Sequence, residues 1–298
     1  MPTTTIRRQQ LRLGLVFLGL PLGWLLVFVV SPIFLVFTLS FTQYDILTPP
    51  QWVGSWNFED LWVDDLFWKA VGNTVTYTAV SVPTSVVLSL LLALLVNRRL
   101  PGAAFFRVVY YIPVVAPLVA VSVVWILIYQ TANGLANYLL SLFDIAPVQW
   151  LTSERLAMPS IIVMSVWKGL GFNMVIFLAA LQAIPRDLLD AAAIDGAGPA
   201  RRLWSVTLPL LKPATLYVVV TSVIASFQVF TQVYVMTRGG PNNATVTLVH
   251  LIYRTAFVNL EMGYASAMAV ILFVLLVLAS LASFRLVSRD NVYAEERR

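Results

Sequence analysis

The chain has 298 residues, 59% of them hydrophobic and only 11% charged, and its formal net charge is +5. Because so few charged residues cannot cover the surface of a soluble protein, this composition excludes a soluble globular domain and indicates an integral membrane protein. The apolar runs are long and continuous rather than alternating, which excludes a β-barrel and favours membrane-spanning helices.

Six apolar segments are each long enough to cross a bilayer, which takes roughly 20 helical residues. They cover about residues 13–41, 70–96, 108–129, 158–184, 214–236 and 263–284. A signal peptide is one alternative for the first segment, but its apolar stretch is too long and no small-residue cleavage site is evident. We therefore predict a single transmembrane domain over residues 1–298, with six spans and no separate soluble domain.

The basic residues set the orientation of these spans. With the N-terminus inside, 14 of the 19 lysines and arginines fall on the inner side. Cytoplasmic loops carry such an excess, so both termini and the loop at about 185–213 are predicted to face the cytoplasm, and the loop at about 237–260 to face outward. Basic loops also account for the net charge, so no nucleic-acid partner is expected.

The fourth span contains Lys168, the only basic residue predicted inside a span, within the stretch VWKGLGFNM. Ionisable groups are costly in a membrane and need a functional reason. Lys168 and Phe172 share a helix face, Asn173 adjoins them, and Gly169 leaves room for a ligand or a close helix contact. A solute path is one interpretation, and the alternative is that Lys168 snorkels to the outer interface.

The cytoplasmic loop contains DLLDAAAIDGAGPARRLWSVTLPLLKP at residues 187–213, which is far too polar to cross a bilayer. Asp187 is predicted to cap a short helix, and Gly196 to end it by adopting a positive φ. Pro199 suits the first turn of a second short helix, which Pro209 and Pro213 are predicted to stop before the fifth span. An ordinary interfacial loop helix is the alternative interpretation.

The fifth span is predicted to carry Thr221, Gln228 and Gln232 on one helical stripe. Ser226 lies beside this stripe, and Phe230 adds an aromatic ring. Sugars are bound by amide and hydroxyl groups with aromatic faces against their C–H surfaces, so the stripe is suited to a sugar path. Interhelical hydrogen bonding is the alternative for any single serine or threonine.

The remaining motifs point away from catalysis. Gly239, Gly240 and Pro241 favour a tight turn in the outer loop, and the lone His250 is expected at the surface rather than in a metal site. The chain has no cysteine and no P-loop, so thiol chemistry and ATP hydrolysis are not expected in it. No Ser/His/Asp set or intramembrane carboxylate pair is evident. We expect a non-catalytic chain with no metal or cofactor of its own.

The cytoplasmic loop resembles the coupling loop of ABC-importer permeases, whose pattern is Glu-Ala-Ala, Asp-Gly-Ala, a hydrophobic residue and Leu-Pro. In that family the segment docks on an ATP-hydrolysing subunit, so the resemblance assigns coupling to this loop. Asp190 stands where glutamate is usual, which keeps the charge but loses reach. The residues assigned to coupling are Asp187, Asp190, Ala191, Ala192, Asp195, Gly196, Ala197, Leu203 and Pro209.

The outer loop, with GGPNNATV and IYRTAF, and the stretch MGYASAMAV at 262–270 are similar to carbohydrate-importer permeases of the maltose and glycerol-phosphate type, most of all to the first of their two membrane subunits. The resemblance implies an all-α, type I ABC importer permease fold with six transmembrane helices and a cytoplasmic coupling helix. It also implies a second permease, two ATP-binding cassette subunits that hold ATP and Mg²⁺, and an extracytoplasmic solute-binding protein.

The resemblance also places substrate contacts near residues 167–172 and 226–228. In that family one subunit can contribute most of the membrane site, and the other then only lines the path. Together with the polar groups of the fourth and fifth spans, this gives the predicted substrate path: Trp167, Lys168, Gly169, Phe172, Asn173, Ser226, Gln228 and Phe230.

The sequence therefore predicts the permease subunit of an ATP-driven importer for a sugar, polyol or oligosaccharide. One alternative is an ABC importer for a non-sugar solute, which would have a similar coupling loop. A second is an ion-coupled secondary transporter, a class that commonly shows repeats with broken helices and an intramembrane acid. No acidic residue lies well inside a predicted span. A membrane enzyme is a third alternative, which no residue set suggests.

Overall fold

The computed structural model of the chain describes residues 17–97 and 102–288. The start of the first predicted span, both termini and the inner basic residues Arg98 and Arg99 lie outside the described residues. Within them the only strands are β1 (Thr42–Gln43) and β2 (Gln51–Trp52), which pair antiparallel. The chain is otherwise built from helices and their connections.

The helices are numbered in chain order. They are α1 (Phe17–Leu39), α2 (Trp56–Val63), α3 (Asp65–Val96), α4 (Ala103–Val115), α5 (Leu118–Ile128), α6 (Leu135–Ser141), α7 (Ala157–Gln182), α8 (Arg186–Ile194), α9 (Pro199–Leu210), α10 (Lys212–Phe227), α11 (Thr231–Met236), α12 (Leu248–Val258) and α13 (Met262–Ser288). Three of them, α1, α9 and α12, contain a π-helical turn.

Among the described residues, four helices are long and apolar enough to cross a membrane alone: α1, α3, α7 and α13. Two further spans are broken, since α4 and α5 meet at a bend of 102° and α9 and α10 at a bend of 64°. Six spans result when each bent pair is counted once. The predicted all-helical membrane fold is confirmed.

The third predicted span is wrong as a continuous helix. The residue before a proline is disfavoured in the α region, and Ala116 accordingly takes an extended conformation before Pro117. The helix therefore ends at Val115, and α5 starts after Pro117. The carbonyl groups at the end of α4 lose their intrahelical partners at this point.

The fifth predicted span, at 214–236, is also wrong as a continuous helix. It ends at Phe227, and the chain resumes as α11 at Thr231. The carbonyl oxygen of Val229, freed by this break, accepts a hydrogen bond of 2.9 Å from the Thr247 hydroxyl. Gln228 and Gln232 are thus not on one helical stripe.

The chain forms two compact units. The first comprises residues 17–64 and 252–271. In it, the Asn57 amide donates to the carbonyl oxygens of Ser40 and Thr42, both at 2.9 Å, next to the β1–β2 pair. The N–H of Gly263 donates to the Tyr44 carbonyl at 3.1 Å. A Cβ at Gly263 would overlap the Thr42 carbonyl, so only glycine permits this close approach.

The second unit comprises residues 65–97, 102–251 and 272–288. Its centre is the pair α3 and α7, with α10 packed on α3 and α4 packed on α7. Ile161, Met164, Met174 and Phe177 on α7 are completely buried in this packing. Since apolar burial and close packing order these helices, the polar groups between them are held in fixed positions.

Candidate functional site

A cavity of about 340 Å³ lies between α3, α7 and α10, with α11 at its edge. Its polar lining consists mainly of hydroxyl and amide groups, which both donate and accept hydrogen bonds. They include Ser81, Ser85, Ser165, Asn173, Ser222 and Gln232. Within the described part of the chain, Lys168 is the only charged side chain that lines it. The cavity is therefore suited to a neutral, hydroxyl-rich solute.

Two amide side chains tie the cavity walls together. Asn173 on α7 is only 6% exposed, and its Nδ2 donates to Ser85 Oγ at 3.1 Å and to Ser222 Oγ at 3.4 Å. Gln232 Nε2 donates to the Tyr77 hydroxyl at 3.2 Å. These bonds join α3 to α7 and to α11, and α7 to α10. In an apolar medium each satisfies a polar group that would otherwise be costly.

Lys168 caps the break between α4 and α5. Its Nζ donates to the carbonyl oxygens of Pro113 at 3.0 Å, Val114 at 3.4 Å and Ala116 at 3.0 Å. An ammonium group has three donors, and the C-terminal end of a helix carries partial negative charge. The amine is thus held at the broken helix rather than extended to the membrane surface. All three of its protons are used there.

Helix α4 touches α7 through backbone atoms near this cap. A Cβ at Gly171 would overlap the carbonyl group of Tyr110, so α4 and α7 can approach this closely only with glycine here. Gly169, two residues earlier, has more room, since the nearest atom to its Cβ position is Ser85 Oγ at 4.0 Å. The two glycines therefore have different roles.

We expect Gly171→Ala to lower the free energy of unfolding by about 1–3 kcal/mol, because the α4 backbone must move away. Gly169→Ala should leave it unchanged or raise it by up to about 1 kcal/mol, since alanine is the better helix former. Thermal unfolding of the two variants in detergent tests this. Equal midpoints would contradict the backbone contact.

The cytoplasmic loop forms a helix, a glycine turn and a second helix, as predicted. Gly196 has a φ of +77°, and its N–H donates to the Ala193 carbonyl at 3.1 Å. The N–H of Ala197 donates to the Ala192 carbonyl at 2.9 Å. This pair of bonds around a left-handed residue is the Schellman motif, which ends α8 and satisfies its last carbonyls.

The same loop exposes large apolar side chains. Ile194 at the end of α8 is 87% exposed, and Trp204 on α9 is 71% exposed. Asp187, Asp190 and Asp195 are exposed as well. Apolar groups beside carboxylates on an accessible helix pair are typical of a surface that binds another protein.

Comparison with known proteins identifies the family. Residues 67–291, well over half of the chain, match the family described as the binding-protein-dependent transport system inner membrane component. The chain belongs to this family. It is therefore a permease, and the predicted resemblance is confirmed.

Several known permeases are similar to it over most of their length. The permease is 34% identical to the probable ABC transporter permease protein YesP of Bacillus subtilis, over 94% of this chain and 92% of that protein. It is 34% identical to the trehalose/maltose transport system permease protein MalF of Thermococcus litoralis, over 92% of each. It is 36% identical to the sn-glycerol-3-phosphate transport system permease protein UgpA of Yersinia pestis, over 82% of each.

The fold of the permease also matches a solved structure. A bacterial ABC transporter involved in the import of the acidic polysaccharide alginate contains a chain with a TM-score of 0.85 and 23% identity, covering 97% of the permease and 98% of that chain. This match confirms the predicted type I ABC importer permease fold.

Five residues of the predicted substrate path line the cavity of the permease: Lys168, Gly169, Phe172, Asn173 and Ser226. Their roles toward a solute stay predictions. Four of them lie on consecutive turns of α7, and Ser226 comes from α10. With α3 and with Val114 and Leu118 of the broken third span, four different spans line the cavity.

Three residues of the predicted path lie elsewhere. Trp167 packs edge-on against Trp125, with ring centroids 5.5 Å apart. Gln228 is exposed at the end of α10, where that helix stops. Phe230 stacks on Tyr234 at 5.3 Å. The break after α10 turns these last side chains away from the cavity, which periodicity within an unbroken helix did not predict.

The contribution of α3 was missed. Hydroxyl residues recur along it at Thr74, Thr78, Ser81, Ser85 and Ser89, all buried. This spacing of three or four residues places them on one helix face. The repeated hydroxyls in an otherwise apolar span were the signal for a polar wall, and two of these residues line the cavity.

The prediction that His250 lies at the surface is wrong. It is 4% exposed on α12, with Phe230 and Tyr234 beside its ring. Gly239 has a φ of +85°, and the turn it forms packs closely against this histidine. The Gly240 N–H donates to the Thr237 carbonyl at 3.0 Å, which confirms the predicted tight turn.

One detail of the cytoplasmic loop also differs from prediction, and one agrees with it. Asp187 does not cap α8, because the helix starts at Arg186 and Asp187 lies in its first turn without a capping bond, where its charge still favours the helix dipole. The second helix, α9, ends at Leu210, between Pro209 and Pro213, as predicted, so Pro209 lies one residue before its end. The preceding π turn at Leu203–Thr207 already interrupts the regular ladder, so a proline is tolerated there.

No metal centre is evident in the described ranges, since they contain no group of three or more His, Cys, Asp or Glu side chains that could hold an ion. The polar groups of the cavity are neutral or, in the case of Lys168, already bound. The arrangement is suited to reversible hydrogen bonding of a solute.

Proposed function

We propose that this permease forms part of the path by which an ATP-driven importer carries a sugar, polyol or oligosaccharide across the membrane. The observation that carries the proposal is the cavity between α3, α7 and α10, whose lining combines hydroxyls, amides and the ring of Phe172. The name of one relative supports it, since it is a permease for trehalose/maltose.

The engagement of Lys168 favours a neutral substrate. A free ammonium in the cavity would attract a phosphate or carboxylate, but this one donates to three backbone carbonyls. A substrate anion would have to displace them, leaving helix carbonyls unpaired in the membrane. We therefore infer that uncharged sugars pass in preference to sugar phosphates and uronates.

The α8–α9 loop is proposed to receive the force of ATP binding. It connects α7 directly to α10, two walls of the cavity, so a displacement of the loop reaches both. ATP binding would close a pair of ATPase subunits, move the loop and open the cavity outward, and hydrolysis would reset it. The residues that dock are Asp187, Asp190, Ala191, Ala192, Asp195, Gly196, Ala197, Leu203 and Pro209.

The complete importer is proposed to contain this chain as one transmembrane domain, a second permease, two ATP-binding cassette subunits and an extracytoplasmic solute-binding protein. Both termini of the permease are proposed to lie in the cytoplasm, as the distribution of basic residues indicates. The chain itself is proposed to be non-catalytic. The exposed Ile194 and Trp204 support docking of a partner on the cytoplasmic loop.

Uptake by the reconstituted importer tests the proposal. Proteoliposomes that contain the whole complex and ATP should accumulate a neutral di- or oligosaccharide, and a complex with an inactive ATPase should not. Accumulation of amino acids but of no sugar would support the non-sugar alternative. Uptake that persists without ATPase activity and collapses with an ionophore would support a secondary transporter.

The two glutamines near the α10 break provide a matched test of the site. We expect Gln232→Ala to raise the KM for sugar uptake about tenfold, because Gln232 holds the cavity wall and offers an amide to the solute. Gln228→Ala should change the KM less than about twofold, since its side chain lies outside the cavity. Measuring the uptake kinetics of both variants shows which of the two glutamines contributes to the site. A larger effect of Gln228→Ala than of Gln232→Ala would support the prediction from the sequence that Gln228 lies on the substrate path.

A further inference from the structure

A second cavity, of about 840 Å³, is an open groove along α4. Val108, Ile112 and Val115 form its floor along one face of α4, and Val175 of α7 forms its side. Val115 is 74% exposed. The groove is apolar along its length and differs from the hydroxyl-rich cavity described above, so its chemistry does not suit a sugar.

Arg107 lies at one end of this groove. Its Nε is buried and has no hydrogen-bond partner among the described residues. Of the side chains that the structure describes, no acidic one lines the groove. A shielded guanidinium N–H without an acceptor is costly, and the cost is greater next to hydrocarbon. The groove therefore presents an apolar channel with a guanidinium at its end, whose Nε has no acceptor among the described residues.

The dimensions of the groove match one leaflet of a bilayer. From Arg107 to Val115 the helix rises about 12 Å at 1.5 Å per residue, close to half of the hydrocarbon thickness of about 30 Å. The groove then ends at Pro117, where the chain bends into α5. By the distribution of basic residues, the end with Arg107 faces the cytoplasm, where anionic headgroups are enriched.

We propose that this groove binds an anionic phospholipid of the inner leaflet, with its phosphate on Arg107 and one acyl chain along α4. The planar guanidinium matches phosphate oxygens with two parallel hydrogen bonds. The apolar residues exclude water along the chain. A free phosphate ion would satisfy Arg107 but would leave the apolar length of the groove uncovered, so the lipid is the occupant that fits both parts.

The absence of cysteine from the chain allows a direct test. Val115→Cys in the assembled importer, with cysteine-free partners, is labelled with a fluorophore and placed in nanodiscs of phosphatidylcholine and phosphatidylglycerol. Nitroxide-chain phosphatidylglycerol should quench the label more strongly than nitroxide-chain phosphatidylcholine. Arg107→Gln should reduce this preference at least about tenfold, the loss expected for a charge-assisted hydrogen bond.

Arg285→Gln is the matched control, because Arg285 is an exposed arginine in the last turn of α13 and does not line the groove. It should leave the preference unchanged. If Arg107→Gln does not fold, Arg107→Lys replaces it and should weaken the preference several-fold, since lysine lacks the planar fork. If Arg107→Gln and Arg285→Gln show the same preference for phosphatidylglycerol, the proposal is overturned. It is also overturned by a label that neither lipid quenches, which would show that a protein subunit covers the groove.

Discussion

Gly196→Pro should abolish solute uptake by the assembled importer while the ATPase subunits still hydrolyse ATP. Gly196 has a φ of +77° and donates its N–H to the Ala193 carbonyl. Proline fixes φ near −65° and has no N–H, so it cannot form this turn. The distortion costs about 3 kcal/mol or more, enough to reduce productive coupling by more than about a hundredfold. Uptake and ATP hydrolysis are measured in the same proteoliposomes.

A pair of alanine variants isolates the backbone conformation as the cause. A Cβ at either Gly196 or Gly198 meets open space, but Gly198 has a φ of −64°, which any residue adopts. Gly196→Ala should therefore cost about 1–2 kcal/mol and weaken coupling, whereas Gly198→Ala should be close to neutral. Normal transport by Gly196→Pro would refute the role of this turn.

Lys168→Met should strongly destabilise the permease. It removes the donor of three hydrogen bonds and leaves the carbonyls of Pro113, Val114 and Ala116 without that donor in the membrane. We expect a loss of about 2–4 kcal/mol, seen as a lower thermal unfolding midpoint in detergent. Lys168→Arg should recover part of this, because its guanidinium also donates to carbonyls.

Lys69 supplies the control for Lys168. Its Nζ donates to a single backbone carbonyl, that of Asn242, at an exposed position. Lys69→Met should therefore cost less than about 1 kcal/mol. If Lys168→Met instead weakened uptake without lowering stability, Lys168 would act mainly on the solute rather than on the α4–α5 break.

The parts of the fold that depend on length and hydropathy were predictable. The second, fourth and sixth predicted spans match α3, α7 and α13 to within a few residues, because an apolar run of this length has few other stable states in lipid. The break after Phe227 was not predictable from the sequence, since no glycine or proline marks it. The hydrogen bond that compensates for it is donated by Thr247, far along the chain. Pro117 marked the other break, but an apolar run interrupted by one proline also fits a kinked helix.

The candidate site was predictable where a residue type is exceptional. A lysine in a span and a glycine after a short helix each stand out, and the structure gives Lys168 and Gly196 specific bonds. The α3 serines do not stand out individually, since serine is common within membrane helices. The prediction for His250 was wrong because the burial of its ring depends on how the Gly239 turn folds. The residues next to His250 in the sequence do not reveal that fold.

The bond between Asn173 and Ser222 has a geometric consequence. Nine residues separate Asn173 from the end of α7 at Gln182, and ten separate Ser222 from the start of α10 at Lys212. At 1.5 Å per residue both arms measure about 14–15 Å. We expect these two arms, which the α8–α9 loop joins, to turn about this amide as a pivot. We expect a shift of the loop in one direction to swing the far ends of the arms in the other, so that one mouth narrows as the opposite one widens.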